Sequence, residues 1–412
     1  MEDVQLQLAA LRRRIARVDR KYAGTRGAAA LKHAPRPARQ AIEELLSGEV
    51  VRTRYGCHFE TERLWERHRR HGSVGIADLN DLPADLLDSL SGGAISNAAP
   101  AKWAFLDTET TGLGAGACAF LAGVGSIDST GFRLRQFFLR NYGDEPSLLW
   151  RLGEYLSQFD ALITYNGRTF DQPLLEGRYR LARTPHPFAR LPHLDLLFGA
   201  RRLWKLRLDS CRLIDLETRI LGVERQGDLP GDLIPYYYFE FQRTHQALRL
   251  VPIFHHNALD ILTLACLTPI VAGIFRSPEE AGLRHGADLI GLSRWLRDAG
   301  RDAEALGLLR RAVEMGLPDP LLFRTLWDIG LEERRRGSME CALEVWRDLA
   351  GSRNPFRVRS LVELAKHYER REKNYAAALE TTLEAIAIGE SPGLRSREVR
   401  LRKRILAADK RR

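Results

Sequence analysis

Four acidic residues stand inside or directly behind apolar segments, and they constrain the fold more than any other feature of the chain. They are Asp107 and Glu109 in FLDTETTGL, Asp171 in ITYNGRTFDQPLL and Asp260 in FHHNALDILTLACL. An isolated carboxylate is costly to bury, so each acid needs a cationic or hydrogen-bonding partner. Because all four stand in such surroundings, the sequence predicts a site for divalent cations.

The first two acids are separated by one residue and follow the apolar segment Trp-Ala-Phe-Leu. In a strand, that spacing directs both side chains to the same face. A carboxylate pair at the end of a strand can bind one or two divalent ions through its oxygens. Thr110 follows directly and begins the turn that carries the chain past the site.

The third acid opens a predicted helix. The apolar strand ALITYNG ends at a Gly turn, and Asp171 then precedes QPLLEGRYR. Taken alone, an acid in the first turn of a helix is explained as well by capping. Asn166, five residues earlier, is explained as well by a role in the turn.

The fourth acid lies in a predicted helix over residues 257–267, one turn after two adjacent histidines. His256 is four residues before Asp260 and shares its helical face. His255 is five residues before the acid and reaches the same region from the start of the helix. A histidine with a pKa near neutrality can accept a proton from an attacking water. Taken alone, either histidine is explained as well by a structural role at the helix start.

Together, the three segments resemble the DEDD superfamily of 3′–5′ exonucleases, which have a ribonuclease H-like fold. The similarity lies in the order of DxE in LDTETTGL, NxxxFD in NGRTFD and the final acid in HHNALD, across residues 101–270. The segments LDTETTGLGAGACAFLAGVGSID, HLDLL and LPGDLIPYYY also resemble the YprB-type bacterial branch. Members of that branch often carry C-terminal tetratricopeptide-like (TPR-like) helices.

The resemblance implies phosphodiester hydrolysis with two divalent ions, Mg²⁺ or Mn²⁺. The implied ligands are Asp107, Glu109, Asp171 and Asp260. The implied base is a histidine, which one subgroup places five residues before the last acid, selecting His255. The tyrosine subgroup places its base four residues before that acid, often as Tyr-Asn, which selects His256. Both spacings occur here, so the choice stays open, although the following Asn257 favours His256.

Further residues are candidates for contacts with a substrate. They are Thr110, Asn166, Arg201, Arg202 and Lys205. The last three belong to the basic segment RRLWKLR, which can track a phosphate backbone and stack a base on Trp204. A solvated helix face is the alternative for this segment. Asp195 in LPHLDLLF is a weaker candidate near the metal ligands, and a helix cap or structural hydrogen bond explains it as well.

Strands followed by interleaved helices over residues 101–272 predict an α/β ribonuclease H-like domain with a mixed sheet flanked by helices. Before it, we predict a basic helix and linker at 1–40 and a small accessory region at 41–100, with a hairpin in RTRYGCH. After it, helix pairs of ~34 residues predict an all-α TPR-like domain at 280–390. A basic tail follows at 392–412. An unrelated helical bundle is the alternative for the third domain.

The charge of +10 is concentrated at the two ends of the chain. Residues 1–40 carry ten Lys and Arg against three Asp and Glu, and residues 392–412 carry nine against two, a net of +7 in each. Basic arms indicate nucleic acid, with solvated helix faces as the alternative. The five scattered cysteines predict a reducing cytoplasm without a zinc site or disulfides. Since no apolar run approaches the ~18–20 residues of a membrane span, we expect no membrane partner.

These observations lead to one hypothesis and two rivals. The hypothesis is a metal-dependent 3′–5′ exonuclease that cleaves single-stranded DNA or RNA, or nucleic acid with a free 3′ end. The TPR-like helices would bind a partner protein or steer the substrate. One rival is a structure-specific endonuclease of the same fold, and the other is a catalytically silent nucleic-acid-binding or scaffold protein.

Overall fold

The computed structural model describes residues 40–112, 114 and 116–409. The predicted basic N-terminal helix and linker therefore lie outside the described residues, apart from residue 40. The chain divides into two compact units. The first unit holds residues up to 201 together with 210–277, and the second holds residues 202–209 and those from 278 onward.

Seven strands form one mixed sheet in the first unit. In sheet order they are β1 (Gly48–Thr53), β2 (Gly56–Glu66), β7 (Gly131–Phe138), β6 (Ala119–Asp128), β5 (Trp103–Thr110), β8 (Ala161–Thr164) and β9 (His193–Asp195). The pairs β5–β8 and β8–β9 are parallel, and the other pairs are antiparallel. Strands β3 (Arg70–His71) and β4 (Val74–Gly75) form a separate antiparallel pair. The α/β class with a mixed sheet is confirmed.

Helices pack around this sheet. Among the described residues, those that begin between 40 and 277 are α1 (Asp88–Ser91), α2 (Glu145–Leu156), α3 (Asp171–Leu181), α4 (Leu196–Trp204), α5 (Leu213–Leu216), α6 (Ile234–Thr244) and α7 (Val251–Arg276). The last of them is longer than the sequence predicts, because it begins six residues before Asn257. Both histidines therefore lie inside the helix rather than at its start.

Glycines in β6 allow helix α7 to approach the sheet closely. A Cβ atom built on Gly123 would lie 2.3 Å from Asn257 Oδ1 and 2.4 Å from Ile261 Cδ1, and one on Gly125 would also meet Ile261. Since Gly123 pairs with Asp107 across the β5–β6 ladder, this contact brings the polar turn of α7 beside the acidic end of β5. The fold thus places the first and third motifs together.

The sequence expectation about membrane spans is wrong for α7. Residues Leu248–Arg276 contain an 18-residue stretch with a mean hydropathy of 2.0, long and apolar enough to cross a membrane. However, 72% of that stretch is buried inside the structure. A helix that packs on the core of a globular domain has the same composition, so its hydropathy is accounted for by burial against the sheet.

The region from 41 to 100 extends the central sheet. The predicted hairpin is present, with β1 and β2 paired from Gly48 opposite Thr61 to Thr53 opposite Gly56. Strand β2 then pairs with β7 along eight residues, from Phe59 to Glu66. The small accessory region predicted at 41–100 thus contributes strands to the same sheet as residues 101–272, through the pairing of β2 with β7.

The second unit is helical. Its helices are α8 (Gly286–Asp298), α9 (Asp302–Glu314), α10 (Asp319–Arg335), α11 (Met339–Gly351), α12 (Arg357–His367), α13 (Tyr375–Ile388) and α14 (Pro392–Asp409). Consecutive helices pack on one another from α8 to α14. The C-terminal helical region is confirmed, while its TPR-like character stays a prediction.

Residues 392–409 form a helix rather than the basic tail that we predicted. Leu394 and Leu401 of α14 are buried, at 5% and 0% exposed. Glu369, also buried, accepts hydrogen bonds from Arg397 at 2.7 Å and from Arg400 at 2.9 and 3.0 Å. An apolar stripe and a shared carboxylate therefore fix this basic segment to the helical unit.

Candidate active site

The end of strand β5 presents the first two acids. Asp107 and Glu109 lie on one face of the strand because successive side chains of a strand alternate. Glu109 is only 9% exposed, and Asp107 is half-buried. The ladder with β6 shifts its register between Glu109 and Thr110, so the regular pairing ends at this point.

Helix α7 holds the carboxylate of Asp107 through Asn257. The Nδ2 amide of Asn257 donates to Asp107 Oδ2 at 2.8 Å and to the Asp107 carbonyl at 3.3 Å. Gln136 of β7 fixes the amide in turn, since its Nε2 donates to Asn257 Oδ1 at 2.8 Å. Asn257 is fully buried, which makes it an anchor between the sheet and the helix.

Asp171 joins the same group from helix α3. It is the first residue of that helix and is 9% exposed. Its Oδ1 accepts a hydrogen bond from Thr108 Oγ1 at 2.5 Å, so the neighbouring residue of β5 holds it in place. The loop before the helix brings the second motif to the first because Asn166, with a φ of 68°, turns the chain there.

Burial and mutual repulsion shift the ionisation of these acids. Burial, followed by the charges of Asp260, Asp171 and Glu109, raises the pKa of Asp107 well above its usual range. Burial raises the pKa of Glu109 to about 8; Asp260 and Asp171 contribute, and the charge of His256 opposes them. Burial also raises the pKa of Asp171 to about 6, against opposing hydrogen bonds. Burial therefore disfavours the ionised forms of Asp107, Glu109 and Asp171, and the negative charges of neighbouring acids add to this effect.

The two histidines have different surroundings. His256 donates from Nδ1 to Asp228 Oδ1 at 2.8 Å, and its Nε2 lies 3.6 Å from Asp260 Oδ2. Burial opposes the shift, but the bond to Asp228 and the charges of Asp260 and Glu109 raise the pKa of His256 to about 9. His255 is exposed, and its Nδ1 accepts from Arg63 at 3.4 Å. Partial desolvation of the imidazole and the charge of Arg63 lower the pKa of His255.

Asp260 also contacts a buried arginine that the sequence analysis did not single out. Arg225 Nη2 donates to Asp260 Oδ1 at 2.6 Å, and Nη1 donates to Asp228 Oδ2 at 3.1 Å. The charges of Asp260 and Glu217 outweigh burial and raise the pKa of Arg225. The pKa of Asp228, in contrast, is lowered. Although burial opposes the change, hydrogen bonding and the charges of His256 and Arg225 lower the pKa of Asp228 to about 2.

The donor chemistry of the site fits a hard divalent cation. Across residues 40–112, 114 and 116–409, no group of three or more His, Cys, Asp or Glu side chains is arranged to hold a metal ion. The acids are instead held by Asn257, Thr108 and Arg225. Their donors are all oxygens, which suit Mg²⁺ or Mn²⁺. The raised pKa values of three carboxylates indicate that added positive charge would stabilise their ionised forms.

Two of the predicted substrate-contact residues, Thr110 and Asn166, form hydrogen bonds with residues other than the four acids. Thr110 Oγ1 donates to the Gly112 carbonyl at 3.1 Å. The backbone N–H of Asn166 donates to Asp195 Oδ1 at 2.7 Å, which gives both residues a structural role in the turn. Asp195 also accepts from the backbone N–H groups of residues 168 and 197, so the structural alternative accounts for it.

In the basic segment RRLWKLR, one of the three predicted phosphate contacts already forms an ion pair. Arg202 pairs with Asp298 at 2.7 Å within the second unit. Arg201 and Lys205 are exposed and stay candidates for phosphate contacts. Trp204 is 2% exposed and cannot stack a base, so that expectation is wrong. The helical periodicity of the segment directs the indole into the core while the basic residues face outward.

Arg225 and Asp228 are the functional candidates that sequence reasoning missed. They lie in VERQGDLPGD, a segment with neither helical nor strand periodicity. Its only signal was proximity to LPGDLIPYYY, which carried part of the resemblance. Their importance arises from contacts with distant residues. Arg225 contacts Asp260, 35 residues later, and Asp228 contacts His256, 28 residues later.

Comparisons with known proteins agree with this fold. A family model of the RNase H superfamily matches residues 104–271. The protein YprB of Bacillus subtilis (strain 168), described as uncharacterized, is 33% identical over 291 residues, which cover 69% of this chain and 68% of YprB. RNase H-like nucleases act on nucleic acids and typically use divalent metals such as Mg²⁺. The chain belongs to the RNase H superfamily and is a relative of YprB.

Proposed function

We propose that the protein is a metal-dependent 3′–5′ exonuclease that hydrolyses phosphodiester bonds at the ends of single-stranded nucleic acid. The observation that carries this proposal is a pair of hydrogen bonds, from Asn257 of α7 to Asp107 and from Thr108 of β5 to Asp171, which join the three elements that hold the four acids. The charges of Asp260 and Asp171 contribute to the raised pKa values of both Asp107 and Glu109. The order and spacing of their motifs resemble the DEDD exonucleases.

The four carboxylates would hold two divalent cations, Mg²⁺ or Mn²⁺. Two such ions stabilise the attacking and leaving oxygens of an in-line displacement. Asn257 would keep Asp107 oriented, because it donates to the Oδ2 oxygen of that carboxylate. Thr108 would do the same for Asp171.

His256 is the better candidate for the general base. Its Nδ1–H donates to Asp228, which leaves Nε2 directed at the site. The charges of Asp260 and Glu109 help to hold its pKa at about 9, so cations that neutralised those carboxylates would lower this pKa and free Nε2 to accept the proton of an attacking water. That nitrogen faces the carboxylate of Asp260. His255, in contrast, is exposed and contacts the cationic Arg63, so it has no carboxylate partner of this kind among its described contacts.

The helical second unit would steer the substrate or bind a partner protein through TPR-like helix pairs. Helix α14 supports the first role, because Lys403 is exposed on it beside four exposed arginines that also pair with glutamates, namely Arg395, Arg400, Arg402 and Arg404. Such a surface attracts phosphate groups. Consecutive helix packing from α8 to α14 supports a repeat-like array.

An activity assay tests the proposal. With Mn²⁺, the protein should shorten a 5′-labelled single-stranded oligonucleotide stepwise from its 3′ end and leave a circular strand intact. Asp107→Asn should abolish cleavage, whereas the same change at the exposed Asp160 should leave it unaltered. Cleavage of the circle would instead support the endonuclease. No metal-dependent cleavage of any DNA or RNA would favour the silent scaffold.

A further inference from the structure

A buried arginine joins three carboxylates at the edge of the candidate site. The side chain of Arg225 is 3% exposed, and its three nitrogens contact Glu217, Asp228 and Asp260. A buried cation is costly unless its hydrogen-bonding capacity is satisfied. The planar guanidinium satisfies it here, because each nitrogen faces a different carboxylate.

The far end of this network is anchored in the core. Glu217 is fully buried and accepts from Thr263 Oγ1 at 2.7 Å. His71 Nε2 lies 3.1 Å from the same carboxylate and 2.9 Å from Thr263 Oγ1. Arg225 is therefore tied through Glu217 to helix α7, one turn beyond Asp260. Its position is determined by elements outside the candidate site.

The near end of the network sets the orientation of two site residues. Asp228 uses Oδ2 for Arg225 and Oδ1 for His256, so one carboxylate links the guanidinium to the imidazole. Arg225 meanwhile occupies Oδ1 of Asp260, which leaves Oδ2 on the side of His256. These bonds determine which imidazole nitrogen and which carboxylate oxygen are directed at the site.

We propose that Arg225 and Asp228 are positioning residues that hold the base His256 and the metal ligand Asp260 in one fixed arrangement. The proposal rests on the proposed function, since it assigns roles in the same reaction. Neither residue would contact the substrate or the reacting atoms. Asp228 fixes the imidazole with its Nδ1 protonated, and Arg225 fixes the carboxylates of Asp228 and Asp260 relative to each other.

Two conservative substitutions and a matched control test the proposal in the full-length protein. Asp228→Asn keeps the shape of the side chain but removes its charge. Arg225→Lys keeps the charge but replaces the planar guanidinium, whose three nitrogens each face a different carboxylate, by a single nitrogen. Arg207→Lys is the control, because Arg207 makes a similar pair with the buried Asp288, at 2.8 and 3.0 Å, in the unit that holds none of the four acids.

The first readout does not need activity. In a ¹H–¹⁵N spectrum, the Nδ1–H of His256 should give an exchange-protected signal, identified by its absence in His256→Gln. We expect Asp228→Asn to lose this signal and the control to keep it. In calorimetric titrations with Mn²⁺ alone, Arg225→Lys should bind about 10–100-fold more weakly than wild type, the range typical of residues that orient metal ligands.

The second readout is kinetic. Both variants should lower kcat by about 10–100-fold while KM stays nearly constant, because orientation rather than substrate binding is lost. The proposal is overturned if Asp228→Asn keeps the protected signal, or if Arg225→Lys matches Arg207→Lys in Mn²⁺ affinity and kcat. A wild-type protein without nuclease activity would refute the proposed function, whereas the spectrum and the Mn²⁺ titrations would still decide on the positioning roles.

Discussion

Replacing Glu109 by glutamine should stabilise the metal-free protein while it removes one of the proposed metal ligands. Burial, with the charges of Asp260 and Asp171, raises the pKa of Glu109 from 4.5 to about 8. The folded state therefore binds this proton more tightly than the unfolded state does. The raised pKa has no effect on stability below pH 4.5, and it lowers the free energy of unfolding progressively as the pH rises from 4.5 to 8.

The magnitude follows from the size of the shift. Each pH unit in this interval lowers the free energy of unfolding by about 1.4 kcal/mol, so the whole shift corresponds to about 5 kcal/mol at pH 8. Asp107 and Asp171 titrate in the same environment and share part of this effect. We therefore expect Glu109→Gln to raise the free energy of unfolding by about 2–4 kcal/mol at pH 8 and to leave it almost unchanged at pH 4.5.

Urea denaturation in EDTA at pH 4.5, 6 and 8 measures the difference. Asp128→Asn provides a control of opposite sign, because hydrogen bonds from Thr130 and Arg133 outweigh burial and lower the pKa of Asp128 to about 2. Removing that charge should destabilise the protein at pH 8. The electrostatic reasoning is refuted if Glu109→Gln is no more stable than wild type at pH 8, or if its gain is the same at all three pH values.

Three further predictions concern the helix, the base and the substrate surface. Gly123→Ala should lower the free energy of unfolding by about 1–3 kcal/mol in urea denaturation, because its Cβ would overlap Asn257 on α7. Gly177→Ala, where a Cβ meets open space within a helix, should instead raise it by about 1 kcal/mol, and equal effects would contradict the packing argument. His256→Gln should lower kcat by about 10²–10⁴-fold and His255→Gln far less. Equal activities of the two variants would contradict the assignment of the base. Lys403→Gln should reduce the slope of log affinity for a single-stranded oligonucleotide against log salt by about 0.7, as measured by fluorescence anisotropy in EDTA; an unchanged slope would exclude a phosphate contact there.

The sequence predicted those parts of the site that depend on local patterns. Alternation along β5 places Asp107 and Glu109 on one face, and helical spacing places His256 beside Asp260. Each pattern requires only neighbouring residues, so it can be recognised without knowledge of the fold. The mixed sheet followed from the order of apolar strands and helices for the same reason.

The remaining features depend on contacts between distant segments. Arg225 and Asp228 lie in an irregular segment, and their roles arise only when it folds against α7. Strands β1 and β2 join the sheet because β2 pairs with β7, which their own alternation does not reveal. Helix α14 looked like a basic tail because its arginines outnumber its buried leucines, although two leucines and the shared contacts with Glu369 fix it in place.

Binding of Mn²⁺ tests the central claim most directly, because the account makes the four acids one site for divalent cations. Calorimetric titration of the full-length protein should give two Mn²⁺ ions per chain. Asp107→Asn should lose this binding, and Asp160→Asn should keep it. An absence of saturable Mn²⁺ binding in the wild-type protein, or equal binding by wild type and Asp107→Asn, would contradict the account.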